Sequence, residues 1–87
     1  NLALDLAKHD IRVNCVSPGY FKTNMTTGSY NNLELRSIRE KNTILNRYGD
    51  TSELMGILDF LASSASSYVT GQNFIIDGGW ITKGLVE

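Results

Sequence analysis

The residues best suited to chemistry lie in the stretch SPGYFKT, from Ser17 to Thr23. An apolar segment ends there at Pro18 and Gly19, and a threonine hydroxyl follows at Thr23. Proline lacks an N–H and glycine allows close approach, so this break presents main-chain groups beside a small polar side chain. α/β enzymes present backbone to a ligand in this way, at the end of a strand. An ordinary turn that stops a strand is the alternative, and the spacing alone does not decide between them.

The other reactive side chains favour structural roles. Cys15 is the only cysteine, and we predict an inert thiol among apolar neighbours in the middle of a strand. The only histidine, His9, follows a helical segment, where a solvated partner of the helix dipole is more typical than a base or a ligand. No cluster of histidine, cysteine or acidic residues has the spacing of metal ligands, so the sequence predicts no metal site.

Two strands separated by a helix predict an α/β fold around the Pro-Gly break. Alternating apolar residues indicate a strand from Ile11 to Val16, buried on most of both faces, which Pro18 ends; Phe74 to Ile76 form a second strand. The clearest helix runs between them from Asp50 to Ser64, with Asp50 and Glu53 at the positions of a capping box. Strands joined through a helix pair in parallel, and ligands bind beyond their carboxyl ends, where Pro18 lies.

The remaining segments are one more helix and a long polar connection. The chain opens on the last turns of a helix that ends at His9, with no capping residue before them. Tyr20 to Asn32 are polar without a clear period, and Leu33 to Leu45 predict one or two short amphipathic helices. Arg36 and Arg39 in that stretch could meet a substrate carboxylate, although a solvated helix face explains both more readily.

Composition places the chain among ordinary globular proteins of at most one domain. It has 87 residues, of which 41% are hydrophobic and 20% charged. A net charge of -1 provides no basic surface for nucleic acid, and no apolar run reaches the roughly 18 residues that cross a bilayer. With a single cysteine, a reducing compartment is the default. We therefore expect a cytoplasmic protein that binds neither nucleic acid nor membrane.

Three stretches together resemble the carboxyl-terminal third of a classical short-chain dehydrogenase/reductase. They are NLALDLAKHDIRVNCVSPGYFKTNM, RYGDTSELMGILDFLAS and SSYVTGQNFIIDGGW, which are similar to the family's catalytic-helix end, sixth strand and Pro-Gly motif, its following helix, and its final strand. The resemblance implies that residues 1–87 form the C-terminal fragment of a single Rossmann-fold domain. The expected fold class is the end of a doubly wound parallel sheet: helix end, strand, substrate loop, helix and final strand.

The resemblance also implies a cofactor, NAD or NADP, against the Pro-Gly turn. In the family's pattern Pro18 and Gly19 form the floor under the nicotinamide ring. The backbone of Phe21 and the hydroxyl of Thr23 then bind the ring's carboxamide. Fixing the carboxamide fixes the ring face that meets the substrate, which stereospecific hydride transfer requires.

The family's catalytic motifs are not in this sequence. It contains no glycine-rich phosphate loop, no selector between NAD and NADP, and no Tyr-x-x-x-Lys pair, whose tyrosine is the family's acid/base. We therefore expect no catalytic residue in this segment and no activity from it alone. The resemblance makes residues 20–48 the substrate-binding loop or lid, with Tyr20 and Met25 as its candidate substrate contacts.

The resemblance implies transfer of hydride between the nicotinamide cofactor and an alcohol or carbonyl substrate. The DGGW ending and the run FLASSASSYVTGQ are similar to enzymes for sugars, polyols and sugar acids, the preferred interpretation, and to 3-oxoacyl-carrier-protein reductases. A catalytically inert truncated copy is the other alternative. Related enzymes are commonly dimers or tetramers, so we expect a homo-oligomer formed through the Asp50–Ser64 helix and the Phe74–Ile76 strand, with Trp80 and Ile81 as candidate interface residues.

Overall fold

A computed structural model describes residues 1–83 of the chain, and within that range it contains five short α-helices and four short strands. Short 3₁₀ turns at Thr51–Leu54 and Ser64–Ser66 flank one of the helices. In chain order the elements are α1 (Leu2–Ala7), β1 (Cys15–Pro18), β2 (Phe21–Lys22), α2 (Thr27–Asn31), α3 (Leu33–Lys41), β3 (Gly49–Asp50), α4 (Met55–Ala62), β4 (Asn73–Ile76) and α5 (Trp80–Lys83).

The two longer strands form the predicted parallel pair. β1 and β4 lie side by side in parallel, with Cys15 opposite Asn73 and Pro18 opposite Ile76. Both strands therefore end at the same edge, and the Pro-Gly break lies at that edge beside the turn that follows β4. The predicted pairing and its direction are confirmed.

The predicted bounds of the first strand are wrong by several residues. The segment before β1 is tied to the turn before β4, since Val13 accepts the Gly71 N–H at 2.8 Å and donates its own N–H to the Thr70 hydroxyl at 3.1 Å. Pro18 is the last paired residue of β1, as predicted. Ile76 accepts the N–H of Gly19 at 2.9 Å, so the ladder bonds the neighbours of Pro18 and its missing N–H is not needed.

The expected burial of β1 on both faces is also wrong for this chain. Cys15 is the first residue of β1 and is exposed, instead of lying in mid-strand among apolar neighbours. Two strands offer too little surface to bury their own side chains, and Ile75 on β4 is likewise 44% exposed. The buried residues of the described range lie elsewhere, at Ala3, Phe21, Thr43, Tyr48 and Ser66.

A second parallel pair, which the sequence did not predict, joins the two ends of the polar connection. Phe21 pairs with Gly49 and Lys22 with Asp50, so β2 and β3 close residues 20–48 into a loop with fixed ends. The pair requires a glycine, because a Cβ at Gly49 would lie 2.5 Å from the ring of Phe21. Two-residue strands are too short to leave a periodic pattern in the sequence.

Side-chain caps set the helix boundaries. The predicted capping box is present: Asp50 Oδ1 accepts the Ser52 N–H at 3.0 Å, and Glu53 Oε1 accepts the Asp50 N–H at 2.9 Å. It opens the 3₁₀ turn that leads into α4, whose last residue is Ala62 and whose C-cap is Ser63, the first of the two serines predicted to end it. An unexpected cap starts α1, where Asn1 Oδ1 accepts the N–H of Ala3 at 2.9 Å.

Two polar side chains before β1 connect it to the segment between α4 and β4. One Arg12 nitrogen, Nη1, donates to both the carbonyl and the hydroxyl of the fully buried Ser66, at 2.7 Å each. Asn14 donates to the Val69 carbonyl at 3.0 Å and accepts the Gln72 N–H at 3.1 Å. These contacts hold β4 in register beside β1 and so position the Pro-Gly edge.

Candidate functional site

The Pro-Gly break packs against the turn after β4. An added Cβ on Gly19 would lie 2.7 Å from Asp77 Cβ and 2.8 Å from Asp77 Cα. Asp77 has no room to move away freely, because its carboxylate accepts the N–H groups of Gly79 at 2.8 Å and Ile81 at 3.0 Å. The close approach that requires a glycine here is therefore to Asp77, in the turn after β4. A role for Pro18 and Gly19 as the floor of a ring site stays a prediction.

Phe21 presents its main chain on the open side of β2. The Gly49 N–H donates to the carbonyl of Tyr20 at 2.8 Å, and in a parallel ladder this pattern points the N–H and C=O of Phe21 away from β3. Phe21 as a whole residue is 7% exposed, and its buried ring anchors the strand. One donor and one acceptor of Phe21 thus face outward from a fixed strand.

The hydroxyl of Thr26, which the sequence analysis did not single out, connects Phe21 and Thr23. It donates to the Phe21 carbonyl at 2.5 Å and accepts the Thr23 N–H at 2.8 Å. The Thr23 hydroxyl, on an exposed residue, lies 3.3 Å from it. The structure thereby brings Phe21 and Thr23 together. A Thr-x-x-Thr spacing is the sequence signal that could have found the connection, although it is common in turns.

The two candidate substrate contacts are separated. Tyr20 is half-buried and lies in a line of four aromatic rings, the ring line, which consists of Trp80, Tyr20, Tyr48 and Tyr30 with successive centroid distances of 6.5, 5.7 and 5.2 Å. Met25 is 96% exposed, outside this cluster. Tyr20 is therefore a packed residue at the base of the 20–48 loop, whereas Met25 is free to meet another molecule.

The two arginines of α3 lie over rings of this line, so the preference for a solvated helix face is wrong. The Arg36 guanidinium lies 4.0 Å from the centroid of Tyr30 and pairs with Glu40 at 3.3 Å. The Arg39 guanidinium lies 4.7 Å from the centroid of Tyr20, and its hydrogen bond to the Tyr48 hydroxyl, 3.4 Å long, raises the Arg39 pKa. Stacking holds α3 against the loop base.

Several clefts open at this edge, and two of them are lined by Pro18 and Gly19 or by Thr23. The first, of about 270 Å³, lies beyond the strand ends, and its lining includes Pro18, Gly19, Tyr20, Trp80 and Ile81. The second, of about 230 Å³, is lined by Lys22, Thr23, Asn24, Thr27 and Tyr30. The candidate site thus combines an apolar surface past the Pro-Gly break with a polar cleft at Thr23.

The polar groups of this site complement an amide. An amide offers two N–H donors and one C=O acceptor, and the outward groups of Phe21 and Thr23 provide a donor, an acceptor and a hydroxyl that can act as either. A carboxamide-bearing ring against the apolar cleft therefore fits the residues present. Residues 1–83 hold no group of histidine, cysteine and acidic side chains suited to a metal ion. None of their helices is both long and apolar enough to span a bilayer.

Comparison with known proteins decides the family. Residues 1–81 match the family model described as Enoyl-(Acyl carrier protein) reductase. The 2-dehydro-3-deoxy-D-gluconate 5-dehydrogenase of Escherichia coli is 40% identical over 88 residues, covering 94% of this chain and 32% of that protein. The chain belongs to the short-chain dehydrogenase/reductase family.

Solved structures of the short-chain dehydrogenase/reductase family share the fold of this chain. A 4-hydroxyisoleucine dehydrogenase complexed with NADH superposes with a TM-score of 0.89 at 34% identity, over 93% of this chain and 33% of that one. A protein from Agrobacterium tumefaciens with bound NADP superposes with a TM-score of 0.88 at 32% identity, over 93% and 33%. The predicted α/β fold class is confirmed. The chain spans about a third of the length of these relatives.

Proposed function

We propose that this chain is the cofactor-orienting and substrate-loop part of an NAD(P)-dependent oxidoreductase. The observation that carries the proposal is the outward N–H and C=O of Phe21 beside the Thr23 hydroxyl, just past the end of a parallel strand. NADH and NADP in the solved relatives support a nicotinamide cofactor for the intact protein. The gluconate-type relative supports a sugar acid, or else a sugar or polyol, as the substrate.

In this proposal the chain binds and orients the cofactor. When bound, the cofactor accepts or donates the hydride at its nicotinamide ring. Phe21 and Thr23 hold the carboxamide, which fixes the ring face presented to the substrate. Pro18 and Gly19 supply the apolar surface under the ring. The proton-transferring residues belong to motifs that the sequence does not contain, so the chain supplies orientation and no proton transfer.

Residues 20–48 act as the substrate-binding lid in this proposal. The paired strands β2 and β3 hold the ends of the loop together, and the ring line connects its base to Trp80. Met25, at 96% exposure, is then the side chain available to contact the substrate, and Tyr20 supports the base of the pocket. Closing a lid excludes water from the site of hydride transfer.

The intact protein is also proposed to be a cytoplasmic homo-oligomer. α4 exposes Met55, Leu58 and Phe60, and Ile75 on β4 is 44% exposed. Exposed apolar side chains in this number on a helix and on the strand that follows it in the chain are typical of surfaces that another chain covers. The alternative is that the remainder of the same subunit covers them.

Titration of the complete gene product with NADH and with NADPH tests the proposal. We expect binding of one of the two, followed by dinucleotide-dependent turnover of sugar acids or polyols. Thr23→Val should weaken dinucleotide affinity about fivefold, the equivalent of one hydrogen bond of about 1 kcal/mol. Thr51→Val, a matched substitution at an exposed threonine outside both clefts, should leave the affinity unchanged.

Three outcomes separate the alternatives. Absence of dinucleotide binding contradicts the proposed function. Binding without turnover of any alcohol or carbonyl substrate favours the inert copy. Turnover of a 3-oxoacyl thioester, with none of sugar acids and polyols, favours the carrier-protein reductase.

A further inference from the structure

The hydroxyl of Thr26 lies within hydrogen-bond distance of four groups, which is more than its one hydrogen and two lone pairs can bond. Phe21 C=O lies at 2.5 Å, Thr23 C=O at 3.2 Å, Thr23 N–H at 2.8 Å and Thr23 Oγ1 at 3.3 Å. A hydroxyl has one hydrogen and two lone pairs. Its hydrogen bonds the nearer carbonyl, that of Phe21, and one lone pair takes the Thr23 N–H. The second lone pair is left for the Thr23 hydroxyl.

This sharing of donors and acceptors orients the Thr23 hydroxyl. Because the Thr26 hydrogen is committed to Phe21, the bond between the two hydroxyls requires Thr23 to be the donor. The hydrogen of Thr23 then points inward to Thr26, and the lone pairs of Thr23 Oγ1 point outward. The site presents two acceptors, Thr23 Oγ1 and the second lone pair of Phe21 C=O, and one donor, Phe21 N–H.

We propose that Thr26 is a positioning residue that makes the site selective for a neutral carboxamide over a carboxylate. Two acceptors and one donor match the two N–H groups and the C=O of an amide. A carboxylate in the same place offers only acceptors, and two of the three groups would repel it. The proposal rests on the proposed function, since it assumes that Phe21 and Thr23 meet the nicotinamide carboxamide.

The test compares two dinucleotides that differ only in this group. The preferred nicotinamide dinucleotide and its nicotinic-acid analogue, in which a carboxylate replaces the carboxamide, are titrated into the complete gene product. The wild type should bind the amide form more tightly. Thr26→Val frees the Thr23 hydrogen to turn outward and bond a carboxylate, so the ratio of the two dissociation constants should shrink about five- to tenfold.

Matched variants separate this role from a merely structural one. Thr26→Ser keeps the hydroxyl and should restore the wild-type ratio. Thr51→Val, at an exposed threonine outside both clefts, should not change the ratio. A Thr26→Val protein that binds both forms with the wild-type ratio overturns the proposal.

A second arm decides the matter even if Thr26→Val fails to fold. With Thr23 as an acceptor, Thr23→Val should weaken the amide form about fivefold and leave the carboxylate form unchanged or tighter. Weakening of the carboxylate form by as much as the amide form overturns the proposal. A wild type that binds both forms equally also overturns it while the proposed function stands, whereas a wild type that binds neither contradicts the proposed function itself.

Discussion

Gly19→Ala should destabilise the protein even when no dinucleotide is present. The new Cβ would lie 2.7 Å from Asp77 Cβ and 2.8 Å from Asp77 Cα. Carbon atoms in contact prefer a separation of about 3.5 Å or more, so the ends of β1 and β4 must separate by several tenths of an ångström. That movement strains the Gly19 N–H bond to Ile76, 2.9 Å long, and the Asp77 carboxylate that caps the following turn.

The expected cost follows from these contacts. Overpacking at a well-packed site costs about 1–3 kcal/mol, and the strained hydrogen bonds place Gly19→Ala at the upper end of that range. Urea unfolding of the complete gene product, without dinucleotide, measures the change in the free energy of unfolding. Gly28→Ala is the matched control. Gly28 lies in α2 with no heavy atom within 4 Å of an added Cβ, so we expect about 0.5–1 kcal/mol of stabilisation.

One result would refute this reasoning. If Gly19→Ala unfolds like the wild type without dinucleotide but binds dinucleotide more weakly, the turn after β4 accommodates the added Cβ with no loss of stability. The glycine would then serve to admit the nicotinamide ring, as the family resemblance implies.

Three further predictions concern an ion pair, a buried anchor and the subunit interface. The Arg47 guanidinium, at 2.7 Å, and the Asp50 N–H lower the Glu53 pKa from 4.5 to about 2. Ionised Glu53 therefore stabilises the fold above pH 4.5, and this contribution is lost as the pH falls towards 2. Glu53→Gln should flatten the decline of the melting temperature over that interval relative to Glu34→Gln, and parallel curves would contradict the ion-pair account. Arg12→Ala should lower the free energy of unfolding by about 2–3 kcal/mol, because it removes two short charge-assisted hydrogen bonds to Ser66. A loss of less than about 0.5 kcal/mol in urea unfolding would show that these bonds are dispensable. Leu58 on α4 is 46% exposed, and Leu58→Asp should shift the sedimentation of the intact protein to a smaller species, whereas the control Asp59→Asn should not. An oligomer of unchanged size would place the interface elsewhere.

The features that the sequence predicted correctly have local causes. Asp50 and Glu53 lie three residues apart, and a capping box depends on that spacing alone. The apolar run Phe74 to Ile76 bounded by turn residues indicates a strand in the same way, and parallel pairing follows from the helix between the strands. The family resemblance supplied the candidate site residues Pro18, Gly19, Phe21 and Thr23, which lie at and just after the end of β1, and their role in binding stays a prediction.

The features that the sequence did not predict depend on residues far apart in the chain. β2 and β3 pair across the whole 20–48 loop, and two residues on each side leave no pattern. From the sequence alone Arg12 is an ordinary exposed cation, because nothing near it in the chain indicates its contact with Ser66. The bounds of β1 differ from the prediction for a similar reason, because the turn before β4 bonds the main chain of Val13 and the ladder begins only at Cys15.

The ring line gives the protein an optical reporter of the position of the 20–48 loop. Trp80 is the only tryptophan in residues 1–87, and within the described residues its indole N–H is buried without a hydrogen-bond partner. An indole in such apolar surroundings emits at short wavelength, and Tyr20, with its ring centroid 6.5 Å away, transfers excitation to it efficiently. Tyr48, which precedes β3, and Tyr30 in α2 follow in the same line. Movement of the loop away from the end of β4 would uncouple these rings, raise tyrosine emission and shift the tryptophan emission to longer wavelength, so opening and closing can be followed in the unlabelled protein.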